Sequence, residues 1–161
     1  MSITTRLVDY NNTDDAQLLV SLLNNYALDP MGGGEPLSDF SKDNLAKQLA
    51  QLTNAFSVFC FVEGKPAGLI NCFVGFSTFK CKPVVNIHDV VVLSEFRGKG
   101  LSLKMMELVE ATSSEKGACK MTLEVLEGNI VAQKAYQKFG FSGYELDPAM
   151  GKAMFWEKPI K

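Results

Sequence analysis

The sequence contains few of the residues that most often signal a metal site or a disulfide framework. Its 161 residues include a single histidine and four cysteines, and no two of the cysteines stand in C-x-x-C spacing. Neither a zinc site nor another bound metal is therefore expected. We interpret the cysteines as free thiols of a reducing cytoplasm, and a Cys60–Cys72 disulfide across neighbouring strands is the less favoured alternative.

Excess positive charge and long apolar runs are also lacking. The formal net charge is −2, from 16 basic and 18 acidic residues, and this balance argues against broad binding to nucleic acid or to a membrane surface. No apolar run approaches the ~20 residues that span a bilayer, and the first residues lack the apolar segment of a secretion signal. We therefore expect a cytoplasmic protein with neither a nucleic-acid nor a membrane partner.

What the sequence does contain is the apolar patterning of one mixed α/β domain over residues 1–161. Hydrophobic residues make up 47% of the chain and charged residues 21%, which is ordinary for a globular domain with a buried core. The spacing of the apolar residues predicts a central twisted mixed sheet flanked by about four helices. The predicted strands cover residues 3–8, 56–62, 67–76, 84–93, 121–125, 143–146 and 153–158, and the predicted helices cover 13–27, 44–52, 100–116 and 129–139.

The most specific signal lies where the fourth predicted strand gives way to the third predicted helix. The apolar run Val90, Val91, Val92 ends this strand, and a basic, glycine-rich turn then opens the helix. The turn reads Arg97, Gly98, Lys99, Gly100, Leu101, Ser102. At such a junction unpaired main-chain N–H groups and the helix dipole converge on one point and bind phosphate groups. The turn therefore predicts a pyrophosphate cradle, with a solvated basic turn as the plain alternative.

A second motif follows on the next predicted strand and helix. It comprises Leu123, Glu124, Val125, Asn129, Ala132, Tyr136 and the run Phe139-Gly140-Phe141. The two motifs together resemble the GCN5-related N-acetyltransferase (GNAT) superfamily, whose signature Gln/Arg-x-x-Gly-x-Gly/Ala is followed by Leu-Glu-Val, Asn-x-x-Ala-x-x-x-Tyr and Gly-Phe. Ser102 departs from the Gly or Ala of that signature, but serine is small and keeps its N–H, so we expect the change to be tolerated.

The resemblance implies a fold, an activity and a cofactor. It implies a GNAT-like acyltransferase fold that binds acetyl-CoA, without a metal, and passes the acetyl group to a primary amine by direct attack in a ternary complex. Main-chain groups of Val90, Val91 and Val92 would pair with the pantetheine arm, and the turn from Arg97 to Ser102 would hold the pyrophosphate. Asn129 and Ala132 are implied as further cofactor contacts, and the position of Asn129 also suits a helix N-cap.

The resemblance also suggests the catalytic groups. Tyr136 is the candidate general acid that protonates the departing CoA thiolate, and its alternative role is packing in the apolar stripe of its helix. Two side chains compete as the base. Glu124 lies in the second motif, and His88 lies on the strand that leads into the pantetheine-binding segment; histidine is the residue type most often suited to proton transfer near neutral pH. A structural role is the alternative for each, and water is a third acceptor for the proton.

The acceptor is expected to be a small-molecule amine. The glycine-rich loop at residues 31–34 is a candidate wall of its pocket, although a solvated polar loop is the simpler interpretation. The other candidates for that wall are Tyr26, Asp29, Glu35 and Asp39. Acetylation of a protein N-terminus or lysine is a second interpretation, and a CoA-binding protein without turnover is a third.

The last predicted strand carries two large aromatic side chains. We assign Phe155 and Trp156 to ordinary core packing. A wall of the acceptor pocket, or a contact in a homodimer, is the alternative for both.

Overall fold

The computed structural model describes residues 1–144 and 147–160. Within them the strands are β1 (Ile3–Leu7), β2 (Ala55–Val62), β3 (Lys65–Ser77), β4 (Lys82–Val92) and β5 (Lys120–Leu123). The helices are α1 (Thr13–Leu28), α2 (Asp39–Gln51), α3 (Leu101–Glu115) and α4 (Ile130–Phe139). Short 3₁₀ turns lie at Pro30–Gly32, Ser94–Phe96 and Pro148–Met150.

Side-chain caps explain where the first two helices begin. The Asp15 N–H donates to Asn12 Oδ1 at 2.9 Å before α1, and the Ser41 N–H donates to Ser38 Oγ at 3.1 Å before α2. The second cap places the start of α2 earlier than the predicted residue 44. The difference arises because the first turn of α2 has no buried side chain, so apolar spacing alone does not reveal it.

A tight hairpin joins β2 to β3. Glu63 and Gly64 both have positive φ, at 50° and 77°, which is the conformation of a two-residue turn that matches the twist of its strands. The sheet order is β1-β2-β3-β4-β5, antiparallel throughout except for the parallel pair β4–β5. The predicted mixed α/β architecture is confirmed.

The sheet separates two apolar layers. The layer under α3 includes Val58, Ile70, Val85, Met105 and Val109, and the layer under α1 and α2 includes Leu19, Leu49, Phe59, Leu69 and Val91. All four cysteines are free, and Cys60 and Cys72 are buried in the α3 layer. Among the described residues, no helix has both the length and the apolar character that a membrane span requires.

The C-terminal segment differs from its prediction. Residues 153–158 form no strand, and Phe155 and Trp156 are 76% and 79% exposed, so their assignment to the core is wrong. A strand needs a neighbour to satisfy its main chain, and in the described part of the chain this segment pairs with none. The predicted strand at 143–146 falls partly outside the described residues, and residues 143–144 form no strand.

Candidate active site

An irregularity in β4 determines the geometry of the site. Asn71 of β3 pairs with Asp89, but the next residue, Cys72, pairs with Ile87. His88 is therefore the extra residue of a β-bulge in β4. Side chains of a regular strand alternate between the two faces of a sheet, so an inserted residue reverses that alternation.

The packing on either side of the bulge shows this reversal. Before the bulge Val85 and Ile87 pack on the α3 layer, and after it Val90 and Val92 do so. The residues between them, His88 and Asp89, both face the opposite layer. Two consecutive titratable side chains thus point to the same side of the sheet.

The bulge opens into a cavity of about 310 Å³ between the sheet and the first two helices. His88 and Asp89 form one wall of this cavity, and Tyr26 of α1 forms another. Its remaining lining includes Leu23, Leu45, Leu49, Phe73 and Gly32. The cavity is therefore mostly apolar, with a few polar groups concentrated at the bulge, which is typical of a small-molecule site.

The polar groups of the cavity are held by their neighbours. The His88 ring stands edge-on to the Phe73 ring, with centroids 5.3 Å apart. Asn71 Nδ2 donates to Asp89 Oδ2 at 3.1 Å. Burial raises the pKa of Tyr26, and the negative charges of Asp89 and Asp29 raise it further. The Tyr26 phenol therefore stays protonated near neutral pH.

A larger groove of about 810 Å³ lies on the outer side of α1 and α2. Its lining includes Asn12, Gln17, Lys42, Asp43 and Lys47, all of which are exposed or lie at helix surfaces. The groove does not reach the bulge or the end of β4. We therefore place the site at the smaller cavity.

A gap in the sheet begins next to this cavity. The parallel pairing of β4 with β5 runs from Val84–Lys120 to Ile87–Leu123 and stops where β5 ends. Residues 90–92 pair with β3 alone, so the main-chain groups of this segment that point away from β3 face the gap within the described structure, where the Val92 carbonyl accepts from Arg97. Such a strand edge offers hydrogen bonds to an extended ligand.

The glycine-rich turn lies at the far end of the gap. Gly100 is the N-cap of α3, with φ 75°, and no side chain caps the helix. The first N–H groups of a helix have no partner inside it, so here they are available to a ligand. A Cβ on Gly98 (φ 78°) or Gly100 would meet open space, so both glycines are required by backbone conformation and not by crowding.

Two cations flank these N–H groups. Lys99 Nζ lies 5.8 Å from the centre of the Phe96 ring. Arg97 donates from Nε to the Val92 carbonyl at 3.2 Å and from Nη2 to Asp29 Oδ2 at 3.3 Å. Arg97 thereby links the end of β4 to the loop after α1. The Met31 N–H, and to a smaller extent Arg97, hold the pKa of Asp29 below its usual value.

Tyr136 lies on α4, half-buried, with its ring edge-on to Phe141 at 6.2 Å. Burial raises its pKa to about 12, and the charge that Tyr26 carries when ionised adds to the effect.

Asn129 is the N-cap of α4. The Ala132 N–H donates to Asn129 Oδ1 at 3.2 Å, so the predicted cap is confirmed. The side-chain NH₂ of Asn129 takes no part in that bond. The cofactor contacts of Asn129 and Ala132 stay predictions.

The structure brings together only some of the predicted catalytic and acceptor residues. Glu124 is exposed just past the end of β5 and does not line the cavity, whereas His88 does. Tyr26 of α1 and Gly32 of the following loop line the cavity, whereas Glu35 in that loop and Asp39 at the start of α2 are exposed outside it.

Sequence reasoning missed Asp89 and Asn71. Each is a polar residue inside an otherwise apolar strand, and a polar group buried in a sheet needs a partner or a purpose. The sequence shows these two polar residues, but it does not show the bulge, which brings Asp89 to the same face as His88.

Known proteins share this sequence pattern. Residues 21–141 of the 161 match the family described as the Acetyltransferase (GNAT) family. An uncharacterized N-acetyltransferase of Archaeoglobus fulgidus is 34% identical over 76 residues, which are 47% of this chain and 52% of that protein. The match thus spans about half the length of this curated relative.

Solved structures share the fold over nearly the whole chain. An aminoglycoside acetyltransferase, meta-AAC0020 from an uncultured soil metagenomic sample in complex with sisomicin, has a TM-score of 0.78 at 17% identity and covers 99% of this chain and 97% of its own. Aminoglycoside N-acetyltransferase AAC(6')-Iy in complex with CoA has a TM-score of 0.75 at 20% identity and covers 99% and 96%. With the family match over three-quarters of its length and this shared fold, the chain belongs to the acetyltransferase (GNAT) family.

Proposed function

We propose that the protein is an acetyl-CoA-dependent N-acetyltransferase that acetylates a primary amine of a small molecule by direct attack in a ternary complex. The observation that carries this proposal is the β4 bulge. It aims His88 and Asp89 into a cavity that is adjacent, along the same strand, to the edge of residues 90–92, which β5 does not reach. A site for the acceptor amine and a site for acetyl-CoA would thus lie next to each other along β4.

The residues between the gap and α3 suit the cofactor. The N–H groups at the start of α3, with Arg97 and Lys99, would hold the pyrophosphate, and residues 90–92 would orient the pantetheine arm through their main chain. The absence of a side-chain cap on α3 leaves those N–H groups for an anion. Bound acetyl-CoA supplies a thioester carbonyl that an amine can attack. Asn129 and Ala132 lie at the start of α4 as further candidate contacts.

Asp89 and His88 have separate roles on the amine side. The Asp89 carboxylate attracts the amine in its cationic form and orients it. The amine must lose a proton before it attacks, and His88 accepts that proton directly or through water. We favour His88 over Glu124 as the base because only His88 lines the cavity.

Tyr136 acts on the leaving group. With a pKa of about 12 its phenol remains protonated at neutral pH, as a donor must. An ordinary thiol has a pKa of ~8.5, so the phenol stabilises the departing thiolate by a hydrogen bond more readily than by full proton transfer.

The size of the cavity favours a small acceptor over a protein. A volume of about 310 Å³ is at the lower end of the range for small-molecule sites, ~300–1,000 Å³, and the cavity lies under α1 and α2. A peptide acceptor needs an open groove across that surface. The presence of a protonated phenol and an imidazole at the site supports turnover over CoA binding alone.

Release of CoA thiol is the measurement that tests this proposal. Four amines are offered with acetyl-CoA: 1,4-diaminobutane, glucosamine, sisomicin, and a short peptide with a free N-terminus and a lysine. We expect turnover of at least one small amine and none of the peptide. Turnover of the peptide alone would favour protein acetylation. Binding of acetyl-CoA without release of CoA thiol in the presence of any of the four amines would favour a CoA-binding protein without turnover.

Matched carboxylate variants then test the site. Asp89→Asn is expected to lower kcat/KM for the amine ~10- to 100-fold, because interactions with a charged group contribute ~1.5–3 kcal/mol. Glu124→Gln removes a carboxylate outside the cavity and is the control, with kinetics like those of the unmodified protein. His88→Gln is expected to lower kcat for the amine with little change in KM for acetyl-CoA, because the variant lacks the proton acceptor. A larger loss from Glu124→Gln than from Asp89→Asn would contradict the assignment.

We also propose that the protein is a homodimer of the cytoplasm. Four large apolar side chains of the C-terminal segment are each more than three-quarters exposed, namely Met154, Phe155, Trp156 and Ile160. An exposed apolar cluster of this kind favours a second copy as its cover. Trp156→Ser should then shift sedimentation towards the monomer. The free, exposed thiols of Cys81 and Cys119 support a reducing compartment.

A further inference from the structure

A row of polar side chains crosses the apolar face of the sheet at the level of the bulge. Ser57 of β2 pairs with Asn71 of β3, and Asn71 pairs with Asp89 of β4. Ser57 and Asn71 are 1% and 4% exposed. The residues before and after them on the same face are large and apolar, namely Phe59, Leu69 and Phe73.

Hydrogen bonds join this row to Tyr10, in the loop between β1 and α1. Tyr10 Oη lies 2.7 Å from Ser57 Oγ. Ser57 Oγ donates to Asn71 Oδ1 at 2.6 Å, and Asn71 Nδ2 donates to Asp89 Oδ2 at 3.1 Å. Among the described residues, no buried side-chain N or O atom lacks a partner, so the row is fully satisfied.

The donors of the row all point in one direction. Ser57 has one hydroxyl proton, and Asn71 Oδ1 receives it, so Tyr10 is the donor in the bond between the two hydroxyls. The order of donation is therefore Tyr10 to Ser57, Ser57 to Asn71, and Asn71 to Asp89. Burial raises the pKa of Tyr10, which keeps its phenol protonated as this order requires.

We infer that Tyr10, Ser57 and Asn71 are positioning residues that hold the Asp89 carboxylate in its orientation for the amine. The inference rests on the proposed function, in which Asp89 binds the acceptor. The Asp89 carboxylate can only accept, so the NH₂ end of the Asn71 amide faces it, and the proton that Ser57 donates to Asn71 Oδ1 holds the amide in that orientation. Successive hydrogen bonds polarise one another, so Tyr10 strengthens the last bond without touching Asp89.

The row positions a charge and does not conduct a proton. A proton wire needs each member to accept and release a proton, and a neutral amide such as Asn71 does neither readily. The proton of the amine therefore leaves by His88 or water, and the row acts on binding and orientation. The same bonds in a purely structural role would stabilise the fold and leave the kinetics of the amine unchanged.

The experiment measures kcat and KM for whichever amine of the four-member panel gives the highest turnover. Asn71→Leu is expected to lower kcat/KM for the amine ~30-fold and Ser57→Ala ~5- to 10-fold, with KM for acetyl-CoA within twofold of the unmodified protein. Tyr10→Phe removes one hydroxyl at the half-buried end of the row, so it keeps the fold and is expected to lower kcat/KM ~3-fold. Asn86→Leu is the matched control.

This control removes the same kind of bond, from a side-chain amide to an oxygen of the neighbouring strand, but on β4 instead of β3. Asn86 Nδ2 donates to Thr122 Oγ1 at 3.1 Å between β4 and β5, and neither residue lines the cavity. The thermal unfolding midpoint is measured for every variant. A positioning role predicts that Asn86→Leu costs stability but not kcat/KM.

A double-mutant cycle separates positioning from structure. In an Asp89→Asn background the same changes at Asn71 and Tyr10 should alter kcat/KM less than twofold, because the carboxylate they orient is gone. Two results would overturn the positioning role: equal losses of kcat/KM in the unmodified and the Asp89→Asn backgrounds, or an unchanged kcat/KM in Asn71→Leu and Tyr10→Phe. In either case, turnover of the amine by the unmodified protein would still support the transferase. Absence of turnover with all four amines would instead refute the transferase itself, and the positioning role with it.

Discussion

Replacing Tyr136 by phenylalanine tests the leaving-group role with the smallest change that the chain allows. The substitution removes one hydroxyl and keeps the ring, which packs edge-on against Phe141 at 6.2 Å. The half-buried position of Tyr136 on α4 means that a phenylalanine fits the same space. Acetyl-CoA affinity is expected to stay within twofold, because the cradle and the residues 90–92 are untouched.

The magnitude follows from the environment of the phenol. General acid catalysis contributes ~10²- to 10⁴-fold. The pKa of Tyr136 is raised to about 12, well above the ~8.5 of an ordinary thiol, so complete transfer of its proton to the thiolate is unfavourable. We therefore expect the lower end of the range, a ~100-fold loss of kcat, which corresponds to ~2.7 kcal/mol at 1.36 kcal/mol for each factor of ten.

Steady-state kinetics from pH 6 to 10 measure this effect. Because its pKa is about 12, Tyr136 stays protonated across that range and adds no basic limb to the profile of the unmodified protein. Tyr144→Phe is the control, since Tyr144 is exposed, with its ring 5.3 Å from Lys120 Nζ. An undiminished kcat in Tyr136→Phe, or an equal loss in Tyr144→Phe, would return Tyr136 to a packing role.

Two further predictions concern the cradle and the fold. Gly100→Val should weaken acetyl-CoA binding by ~10-fold or more with little change in kcat. The reason is that a β-branched residue at φ 75° costs ~1–2 kcal/mol and moves the first N–H groups of α3. Calorimetric titration of the folded variant with acetyl-CoA measures this affinity, and an unchanged affinity would refute the cradle. Asp15→Asn should cost ~2–3 kcal/mol at pH 7, since both Asp15 oxygens accept from Arg6 at 2.8 Å. Hydrogen bonding to Arg6 lowers the pKa of Asp15, so this stabilisation is present above the unfolded value of ~3.9 and is lost as pH falls through the folded value. A difference in denaturation midpoint that does not shrink as the pH is lowered below the unfolded value would contradict it.

The parts of the fold that local rules determine were predictable from sequence. The Asn12 cap, the Glu63-Gly64 turn and the Gly140 end of α4 each follow from a residue type at one position. Apolar periodicity likewise located every strand of the sheet. The prediction of core packing for Phe155 and Trp156 was wrong. Apolar side chains indicate a need for burial, but they do not show whether the same chain or another molecule buries them.

The candidate site was predictable only where it depends on the main chain. The turn at 97–102 was recognised because glycines and cations are visible as letters. The acceptor cavity was not, because strand alternation assigns His88 and Asp89 to opposite faces and only the bulge places them on one. A bulge arises from the competing registers of two neighbouring strands, and no single segment of sequence carries that information.

The bulge also explains why the acceptor cavity and the cofactor gap lie side by side. Past an inserted residue, β4 cannot stay in its former register with both of its neighbours. β3 follows the shift, so its pairing resumes at Asn71–Asp89. β5 pairs no further than Ile87–Leu123, the last position before the insertion. One extra residue at position 88 thus turns two consecutive side chains towards the cavity and, on the other edge of the same strand, leaves residues 90–92 without β5 as a partner. If this reasoning is right, deleting His88 should restore regular alternation with Asp89 still facing the cavity, let β5 pair past Ile87–Leu123 and so close the gap, and weaken acetyl-CoA binding.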